Sequence, residues 1–205
     1  MDFAVALSAL LLIAPVELPD KTFVATLVLA TRYRPVLVWL GVGAAFAVQC
    51  LIAVTAGGLL NLLPRTPVTV AAAVLFAVGA VVLFRGAAHA DEAEAEAEAD
   101  FEGRGRAGAT GFRVVATSFA VLFLAEWGDL SQLLTAALAA RTGDPVSVFV
   151  GGWTALLLVS GLAAGLGRAL LGRVRLAVVQ RIGAGVCALL AAVTVAELLG
   201  VPLPV

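Results

Sequence analysis

Six long apolar runs divide this sequence, and they favour a fold inside a lipid bilayer. They cover roughly residues 3–30, 36–63, 68–84, 113–140, 146–168 and 178–199. A helix needs about 20 mostly apolar residues to cross a bilayer, and several runs reach that length. The chain is 62% hydrophobic and only 13% charged, unlike a soluble domain. The sequence therefore predicts an all-α integral membrane protein with six transmembrane helices.

Short polar turns end most of these runs. Arg32–Pro35, Pro64–Pro67 and Thr142–Pro145 each contain proline, which ends a helix because it lacks a backbone donor. The amino terminus, Met1–Phe3, carries no positively charged segment. We therefore expect the first run to be a retained helix and not a cleaved signal peptide.

A long polar segment, residues 85–112, separates the third run from the fourth. It contains the acidic stretch Asp91–Asp100 and is too charged to be buried, which predicts a solvated linker. The linker divides the chain into a first unit, residues 1–84, and a second, residues 113–205. His89, the only histidine, lies at its edge and is interpreted as a surface residue.

Basic residues are concentrated on one predicted side of the membrane. With the amino terminus outside, ten of the thirteen face the cytoplasm, Arg65 and Arg141 face outward, and Lys21 lies inside the first run. Because basic residues accumulate in cytoplasmic loops, we expect both termini outside and the linker inside. We expect a multi-pass protein of a prokaryotic plasma membrane. The ten are Arg32, Arg34, Arg85, Arg104, Arg106, Arg113, Arg168, Arg173, Arg175 and Arg181.

The second half of the sequence repeats the first. A shift of 109 residues superposes Glu17 on Glu126 and Asp20 on Asp129, and a shift of 110 matches later positions. Each half has three runs, an odd number, so the second half must cross the membrane in the opposite sense. This predicts two inverted three-helix repeats, as in secondary transporters with sites at the repeat interface. Other matches are Thr22 with Ser131, Thr26 with Thr135, Arg32 with Arg141, Pro35 with Pro145, Gly41 with Gly151 and Gly57 with Gly167.

Charged residues lie inside the apolar runs at two matching places. Glu17–Thr22 reads ELPDKT, and Glu126–Gln132 reads EWGDLSQ. Each ionisable group near the centre of a spanning helix costs about 2.5–3.5 kcal/mol, which a structural purpose rarely justifies. We therefore predict a metal site formed by the carboxylates of both motifs. The predicted ligands are Glu17, Asp20, Glu126 and Asp129.

Other residues of the motifs are predicted to support this site. Pro19 and Gly128 weaken the helix between the acids, and a broken turn would turn backbone carbonyls toward a cavity. The i, i+3 spacing predicts that the two acids of each motif share a helix face. Lys21 can neutralise one carboxylate. The neutral polar residues of the predicted site are Thr22, Ser131, Gln132 and, as a cavity candidate, Gln49.

The ligand types restrict the ion and the mechanism. Carboxylate, hydroxyl and carbonyl oxygens suit Ca²⁺, Mn²⁺ or Mg²⁺, whereas the lack of histidine and cysteine in the two motifs disfavours Zn²⁺ and Cu⁺. Close carboxylates in a poor dielectric cannot all stay ionised, so they must bind protons or a cation. We therefore predict exchange of a divalent cation for protons, with no tightly bound cofactor.

Two alternatives remain open from the residues alone. The same carboxylates would suit an exporter of another cationic solute, and a non-transporting membrane protein is also compatible. The chain lacks a cofactor motif, a Ser/His pair and a sizeable polar domain, so we do not expect an enzyme. The expected partners are the lipid bilayer and the cation, with homo-oligomers possible and no nucleic acid.

Small and aromatic residues indicate how the helices pack. Glycines at Gly41 and at the GxxxG pair Gly161 and Gly165 would allow close helix approach. Trp39 and Trp153 are predicted to anchor span ends at the membrane interface. The two cysteines lie in apolar runs and are interpreted as small buried side chains.

The two motifs resemble the paired E-x-G-D-[KR]-[TS] signatures of the Gdt-type cation/proton antiporters, formerly uncharacterised protein family sixteen. The likeness spans nearly the whole chain, including the acidic central linker. It implies transport of Mn²⁺ and Ca²⁺ against protons, which in bacteria clears the cytosol. Pro19 replaces the signature glycine, and Leu130 replaces the usual base and leaves the second motif more acidic. The matching residues are Glu17, Asp20, Lys21 and Thr22 in the first signature, and Glu126, Gly128, Asp129 and Ser131 in the second.

Overall fold

The computed structural model is helical throughout the residues that it describes, which are 1–18, 21–60, 64–88, 111–171 and 176–199. No strand occurs in these residues, so the predicted all-α class is confirmed. The helices are α1 (Phe3–Glu17), α2 (Lys21–Arg32), α3 (Pro35–Leu60), α4 (Arg65–Gly86), α5 (Phe112–Ala125), α6 (Leu130–Thr142), α7 (Pro145–Leu171) and α8 (Leu176–Leu198). Most of the predicted linker, with His89, lies outside the described residues.

Three helical segments are long and apolar enough to cross a membrane, namely Pro35–Leu60, Thr66–Gly86 and Pro145–Gly165. The number rises to five if each of two bent helix pairs counts as one span. The sixth predicted run forms α8, in which Ala184–Leu198 is a shorter apolar helix. The described residues thus contain three to five candidate spans, and the sixth remains a prediction.

The first and fourth predicted runs are each interrupted near their charged motif. α1 and α2 meet at an angle of 70°, and α5 and α6 meet at 75°. In the second half the turn includes Gly128, whose φ of +78° is the left-handed conformation that suits glycine. The break predicted at Gly128 is therefore confirmed. The equivalent Pro19 lies outside the described residues.

Helices from the two halves pack on one another and do not form separate units. α3 lies against α7, and α4 lies against α8. α1 packs on α7 as α5 packs on α3, and these two contacts join equivalent helices. α1 also contacts α6, and α2 contacts α5, so the two bent pairs lie against each other. One buried cluster runs through both halves and includes Leu12, Phe76 and Leu134. Both cysteines are buried, as predicted.

Trp39 and Trp153 lie between α3 and α7, where they join the two halves. The Trp39 indole N–H donates to the Leu157 carbonyl at 2.9 Å, and that of Trp153 to the Gly43 carbonyl at 3.0 Å. Because the partner number falls along α7 as it rises along α3, the two helices are antiparallel. The expectation of membrane-interface anchors missed this role, since position near a span end does not reveal an interhelical acceptor.

Glycines at equivalent positions bring the two halves close together. A Cβ on Gly41 in α3 would overlap the carbonyl oxygen of Val115 in α5, and a Cβ on Gly151 in α7 would overlap that of Ala6 in α1. Both members of each contact match under the sequence repeat. The predicted role of Gly41 in close packing is confirmed. By contrast, nothing lies within 4 Å of a Cβ placed on Gly165.

Candidate ion-binding site at two helix breaks

The first break places a buried carboxylate at the end of α1. Glu17 is its last residue and is only 1% exposed. α2 begins four positions later at Lys21, whose side chain the structure does not describe. Pro19 and Asp20, two of the predicted site residues, also lie outside the described residues. The structure therefore tests one of the two predicted ligands of this half for burial and leaves the other as a prediction.

Two threonine hydroxyls follow the first break on α2. Thr22 and Thr26 are 2% and 0% exposed, and their i, i+4 spacing places them on one helix face. Neither hydroxyl oxygen has a hydrogen-bond partner among the described residues. Buried polar atoms are normally paired, so these oxygens are available as ligands or as water partners. Thr22 was predicted here, whereas Thr26 was recognised only as a match in the repeat.

The second break lies between two acids. Glu126 follows the last residue of α5 and is 4% exposed. Asp129 is the N-cap of α6, and its carboxylate accepts the Ser131 backbone N–H at 3.2 Å. An acid is favoured there because the first amides of a helix lack intrahelical partners. No helix is continuous from Glu126 to Asp129, so the i, i+3 argument for a shared face does not apply.

Gln132 braces the second break. Its amide nitrogen donates to the Glu126 carbonyl, and its amide oxygen accepts the Gly128 N–H at 3.3 Å. Both ends of this side chain thus bond to the backbone of the turn. The sequence predicted that Gln132 supplies a neutral oxygen to the ion. The structure shows that this oxygen also helps to hold the turn, and its binding of an ion stays a prediction.

Gln49 reaches the same break from the first half of the chain. It is 3% exposed on α3, and its amide nitrogen donates to the Phe123 carbonyl at 3.1 Å. Phe123 lies in the last turn of α5, where carbonyl oxygens lack an N–H donor from their own helix. The structure therefore places this cavity candidate at the second break and gives its amide a structural partner.

Two further polar residues follow the second break on α6. Ser131 and Thr135 are 7% and 3% exposed. The Thr135 hydroxyl donates to the Ser131 carbonyl at 2.7 Å, whereas its equivalent, Thr26, has no such bond among the described residues. The two halves therefore have polar side chains at matching positions, but within the described residues the hydroxyl of Thr135 is hydrogen-bonded and that of Thr26 is not.

Ser118 is a buried polar residue that the sequence analysis did not select. It is 0% exposed on α5, and its hydroxyl has no hydrogen bond among the described residues. It lies against Gly41 of α3. A hydroxyl inside an apolar run is the signal that could have identified it.

Trp127, inside the second motif, is 63% exposed, and its ring centroid lies 5.1 Å from that of Phe123.

The described carboxylates do not by themselves complete a metal centre. Among the residues that the structure describes, no group of three or more His, Cys, Asp or Glu side chains could hold one ion. The predicted set includes Asp20, which is not described, so the four-carboxylate site stays a prediction. The structure places one buried glutamate at each break, and the two bent helix pairs contact each other.

A helical bundle with two interrupted apolar helices and buried acids is typical of secondary transporters. The profile of the family described as divalent cation/proton antiporter GDT1 matches residues 5–91 and again residues 114–200. This chain belongs to the GDT1 family, whose members are transporters and not enzymes. The two matches begin 109 residues apart, the same shift that superposes Glu17 on Glu126.

Named relatives are similar over different parts of the chain. A GDT1-like protein of Synechocystis sp. is 32% identical over an alignment of 141 positions that covers 65% of this chain and 68% of that protein. GDT1-like protein 1, chloroplastic, of Oryza sativa subsp. indica is 34% identical over an alignment of 212 positions, gaps included, that covers 93% of this chain and 61% of that protein. Protein PAM71, chloroplastic, of Arabidopsis thaliana is 32% identical over an alignment of 210 positions, gaps included, that covers 93% of this chain and 56% of that protein. The chain thus spans less than two thirds of these two plant relatives. No solved structure matches.

Proposed function

We propose that this chain exchanges Mn²⁺ or Ca²⁺ for protons through one site shared by its two helix breaks. The observation that carries the proposal is the pair of buried glutamates at equivalent breaks. Glu17 is 1% exposed and Glu126 is 4% exposed, and the helices that they end bend by 70° and 75° into the next. Membership of a divalent cation/proton antiporter family supports the same reaction class.

The proposed ligands come from both halves. Glu17 and Asp20 contribute from the first motif, and Glu126 and Asp129 from the second. Thr22 and Ser131 add hydroxyl oxygens, and the interrupted helices add backbone carbonyls. An all-oxygen set favours hard divalent cations, which is why Mn²⁺ and Ca²⁺ are proposed over Zn²⁺. The bracing hydrogen bonds of Gln132 keep the second carboxylate at a fixed turn.

Proton coupling follows from the low dielectric around these acids. Several buried carboxylates cannot remain ionised together, so an empty site takes up protons. A divalent cation entering from one side displaces those protons, and protons entering from the other side displace the cation. Lys21 would offset one negative charge of the first motif, whereas the second motif has the uncharged Leu130 at the equivalent position. We propose that the net direction is cation export from the cytosol.

We further propose six spans arranged as two inverted repeats. The double match of one family profile supports the repeat, and the equivalent contacts of Gly41 and Gly151 support a two-fold relation between the halves. The antiparallel course of α3 and α7 is compatible with inversion. The excess of basic residues in one set of loops supports a plasma-membrane protein of a prokaryote with both termini outside.

Cysteine labelling tests this orientation. In a background without the two native cysteines, Pro64→Cys lies at an exposed position just before α4, in a proposed outer loop, and Ala107→Cys lies in the proposed cytoplasmic linker. A membrane-impermeant maleimide added to intact cells should label the first variant only, and both should react after the cells are permeabilised. Labelling of Ala107→Cys alone in intact cells would mean that the orientation is the opposite of the one proposed.

Transport in proteoliposomes tests the reaction and the site. Vesicles that contain a pH dye and a metal-sensitive dye should show Mn²⁺ or Ca²⁺ flux with protons moving the opposite way. Glu17→Gln and Glu126→Gln should each reduce this flux to the level of empty vesicles, because each removes an ionisable ligand. Glu197→Gln, at a 42% exposed carboxylate on α8, is the matched control and should retain flux.

The outcomes separate the candidate functions. Metal flux without proton movement would contradict antiport. No metal flux from a folded protein would favour an exporter of another cationic solute or a non-transporting protein. Equal loss in the Glu197→Gln control would mean that carboxylate removal acts through folding and not through the site.

A further inference from the structure

A groove between α4 and α8 combines an apolar wall with two arginines. It has a volume of about 630 Å³. The apolar wall belongs to both helices, and Arg85 and Arg181 supply its charged groups. The groove does not include the helix breaks, so it is distinct from the proposed ion site. Its lining residues are Ala80, Val81, Phe84, Arg85, Arg181, Ala184, Gly185 and Ala188.

The groove opens outward and is not covered by the described part of the chain. Phe84 and Val81 on its wall are 67% and 51% exposed, although both are apolar. A Cβ placed on Gly185 would meet nothing within 4 Å. Farther along the same helix pair, a Cβ on Gly79 would lie 3.4 Å from the Cys187 sulfur, so the helices are close there. The open space is therefore at the arginine end.

The two arginines make this groove suited to an anionic ligand. Arg85 lies in the last turn of α4 and Arg181 near the start of α8, and both are exposed. Neither forms an ion pair with an acid in the described residues. Two guanidinium groups beside one apolar slot suit a phosphate with attached hydrocarbon, because guanidinium binds phosphate oxygens in pairs. Basic pockets between transmembrane helices bind anionic lipid headgroups in this way.

The repeat shows that this combination occurs at one end of the α4–α8 pair only. Under the shifts of 109 and 110 residues, Arg85 corresponds to Thr194 and Val195, and Arg181 to Ala72 and Ala71. The equivalent positions thus carry no charge. Helix packing, which both halves share, does not require the two arginines, and a shared cytoplasmic side does not by itself place both beside one apolar groove.

We propose that the α4–α8 groove binds one anionic phospholipid, with an acyl chain along Val81 and Gly185 and its headgroup phosphate between Arg85 and Arg181. A symmetric contact with a second copy over the same groove would bring the arginines of both copies together, which like-charge repulsion disfavours. The stretch Asp91–Asp100 carries acids that could pair with the arginines, but its apolar side chains are all alanines, whose methyl groups are far shorter than an acyl chain. The proposal does not depend on what the protein transports.

Lipid binding to the purified full chain tests this proposal. Native mass spectrometry in detergent, with added phosphatidylglycerol or phosphatidylcholine of the same acyl chains, measures both affinities. We expect phosphatidylglycerol to bind at least tenfold more tightly. Arg85→Gln and Arg181→Gln should each weaken phosphatidylglycerol binding about fivefold, since each basic group near an anionic headgroup has a modest effect. They should weaken phosphatidylcholine binding less, because its choline offsets the charge of the phosphate. Arg34→Gln, at an exposed arginine elsewhere, is the matched control and should bind like the unchanged chain.

A second variant tests the apolar part of the groove. Gly185→Leu adds a side chain into open space on α8, so it should fold and should weaken the binding of both lipids. Equal affinity for the two lipids, or no effect of either arginine variant, would overturn the proposal. Displacement of phosphatidylglycerol by millimolar inorganic phosphate would assign the arginines to a free anion instead. A loss of dimer in Gly185→Leu without a change in lipid affinity would assign the groove to a second copy.

Discussion

The two helix breaks bend by similar angles but are held by different interactions. At the second break, Gln132 and Gln49 donate hydrogen bonds to the Glu126 and Phe123 carbonyls. Under the repeat, the equivalents of these glutamines are Phe23 and Val159. Those two residues instead belong to one buried apolar cluster, with Leu18 packed against it. A polar brace in one half therefore corresponds to apolar packing in the other.

This difference separates what the two breaks share from what each can vary. A buried glutamate at the end of a bent helix is present in both halves, as a shared binding site requires. The supports need only preserve the bend, and hydrogen bonds or apolar contacts can do so. Leu130, in the position of Lys21, is partly buried in the core and faces Gly79 of α4. In the second half the side chain at this position therefore contributes packing and no charge.

Exchanging the turn residues of the two breaks should give the largest effect. Gly128→Pro cannot adopt the φ of +78° and removes the N–H that donates to Gln132, so we expect a loss of more than about 3 kcal/mol. Pro19→Gly should cost about 1 kcal/mol or less, through the greater freedom of the unfolded chain. Thermal unfolding in detergent measures both. Little or no loss of stability in Gly128→Pro would mean that the fold tolerates another backbone conformation at the second turn.

The glycine contacts between halves provide the second test. Gly41→Ala and Gly151→Ala force a Cβ against a carbonyl oxygen of another helix, so each should destabilise the fold by about 3 kcal/mol. Gly165→Ala is the control, because its Cβ meets nothing within 4 Å, and it should be neutral or slightly stabilising. Folded yield and unfolding temperature are the measurements. A large effect at Gly41 with none at Gly151 would contradict equivalent packing of the two halves.

The supports of the two breaks can be compared by a pair of leucine variants. Gln132→Leu leaves the Glu126 carbonyl and the Gly128 N–H without their partner, and should cost about 2 kcal/mol and reduce exchange. Phe23→Leu keeps the buried cluster at the first break apolar, so it should reduce the stability by about 1 kcal/mol and leave cation/proton exchange intact. Unfolding and proteoliposome flux should be measured on the same preparations. Loss of flux in Phe23→Leu alone would place the critical support in the first half.

Much of the fold was predictable because the bilayer imposes simple rules. Apolar length predicted the helices, and charges inside apolar runs identified both breaks and the buried Glu17 and Glu126. The repeat could be read directly from matching residues. These features depend on burial and local backbone preference, which residue type and spacing express.

The interactions at the breaks were less predictable because they depend on three-dimensional pairing. Gln132 has a side-chain oxygen that suits an ion, but the bend also brings its amide into hydrogen bonds with the turn backbone. Trp39 and Trp153 have the positions of interface anchors, but the crossing of α3 and α7 gives them carbonyl acceptors. Ser118 has no motif around it and becomes notable only through its burial against Gly41. In each case the partner is distant in sequence or set by the bend.

An ion pair present in one half should have a smaller effect. Arg141 at the end of α6 contacts Glu197 of α8, with Nη2 and Oε1 2.7 Å apart. Arg32 is the equivalent of Arg141, but alanine occupies position 88, the equivalent of Glu197. Since the pair is partly exposed, Arg141→Gln should cost about 0.5 kcal/mol, and less at high salt. Arg32→Gln should have no effect on unfolding, and an equal loss there would point to a partner for Arg32 in the first half.

The start of α7 provides the smallest test, through pH. Asp144 corresponds to Arg34 in the first half, and it accepts bonds from the Ser147 hydroxyl and backbone N–H. The Ser147 hydroxyl is the main reason that the pKa of Asp144 lies below its ordinary value of 3.8. A lowered folded pKa means that the charge stabilises the protein above pH 3.8, and that this contribution is lost as the pH falls through the folded value. Asp144→Asn should therefore be less stable than the unchanged chain at pH 6, and the two unfolding temperatures should converge as the pH falls below 3.8. Arg34→Gln should show no such pH dependence, because arginine stays charged over this range. A difference between Asp144→Asn and the unchanged chain that did not narrow at all as the pH fell below 3.8 would mean that hydrogen-bond geometry, and not the carboxylate charge, makes this end of α7 unlike the start of α3.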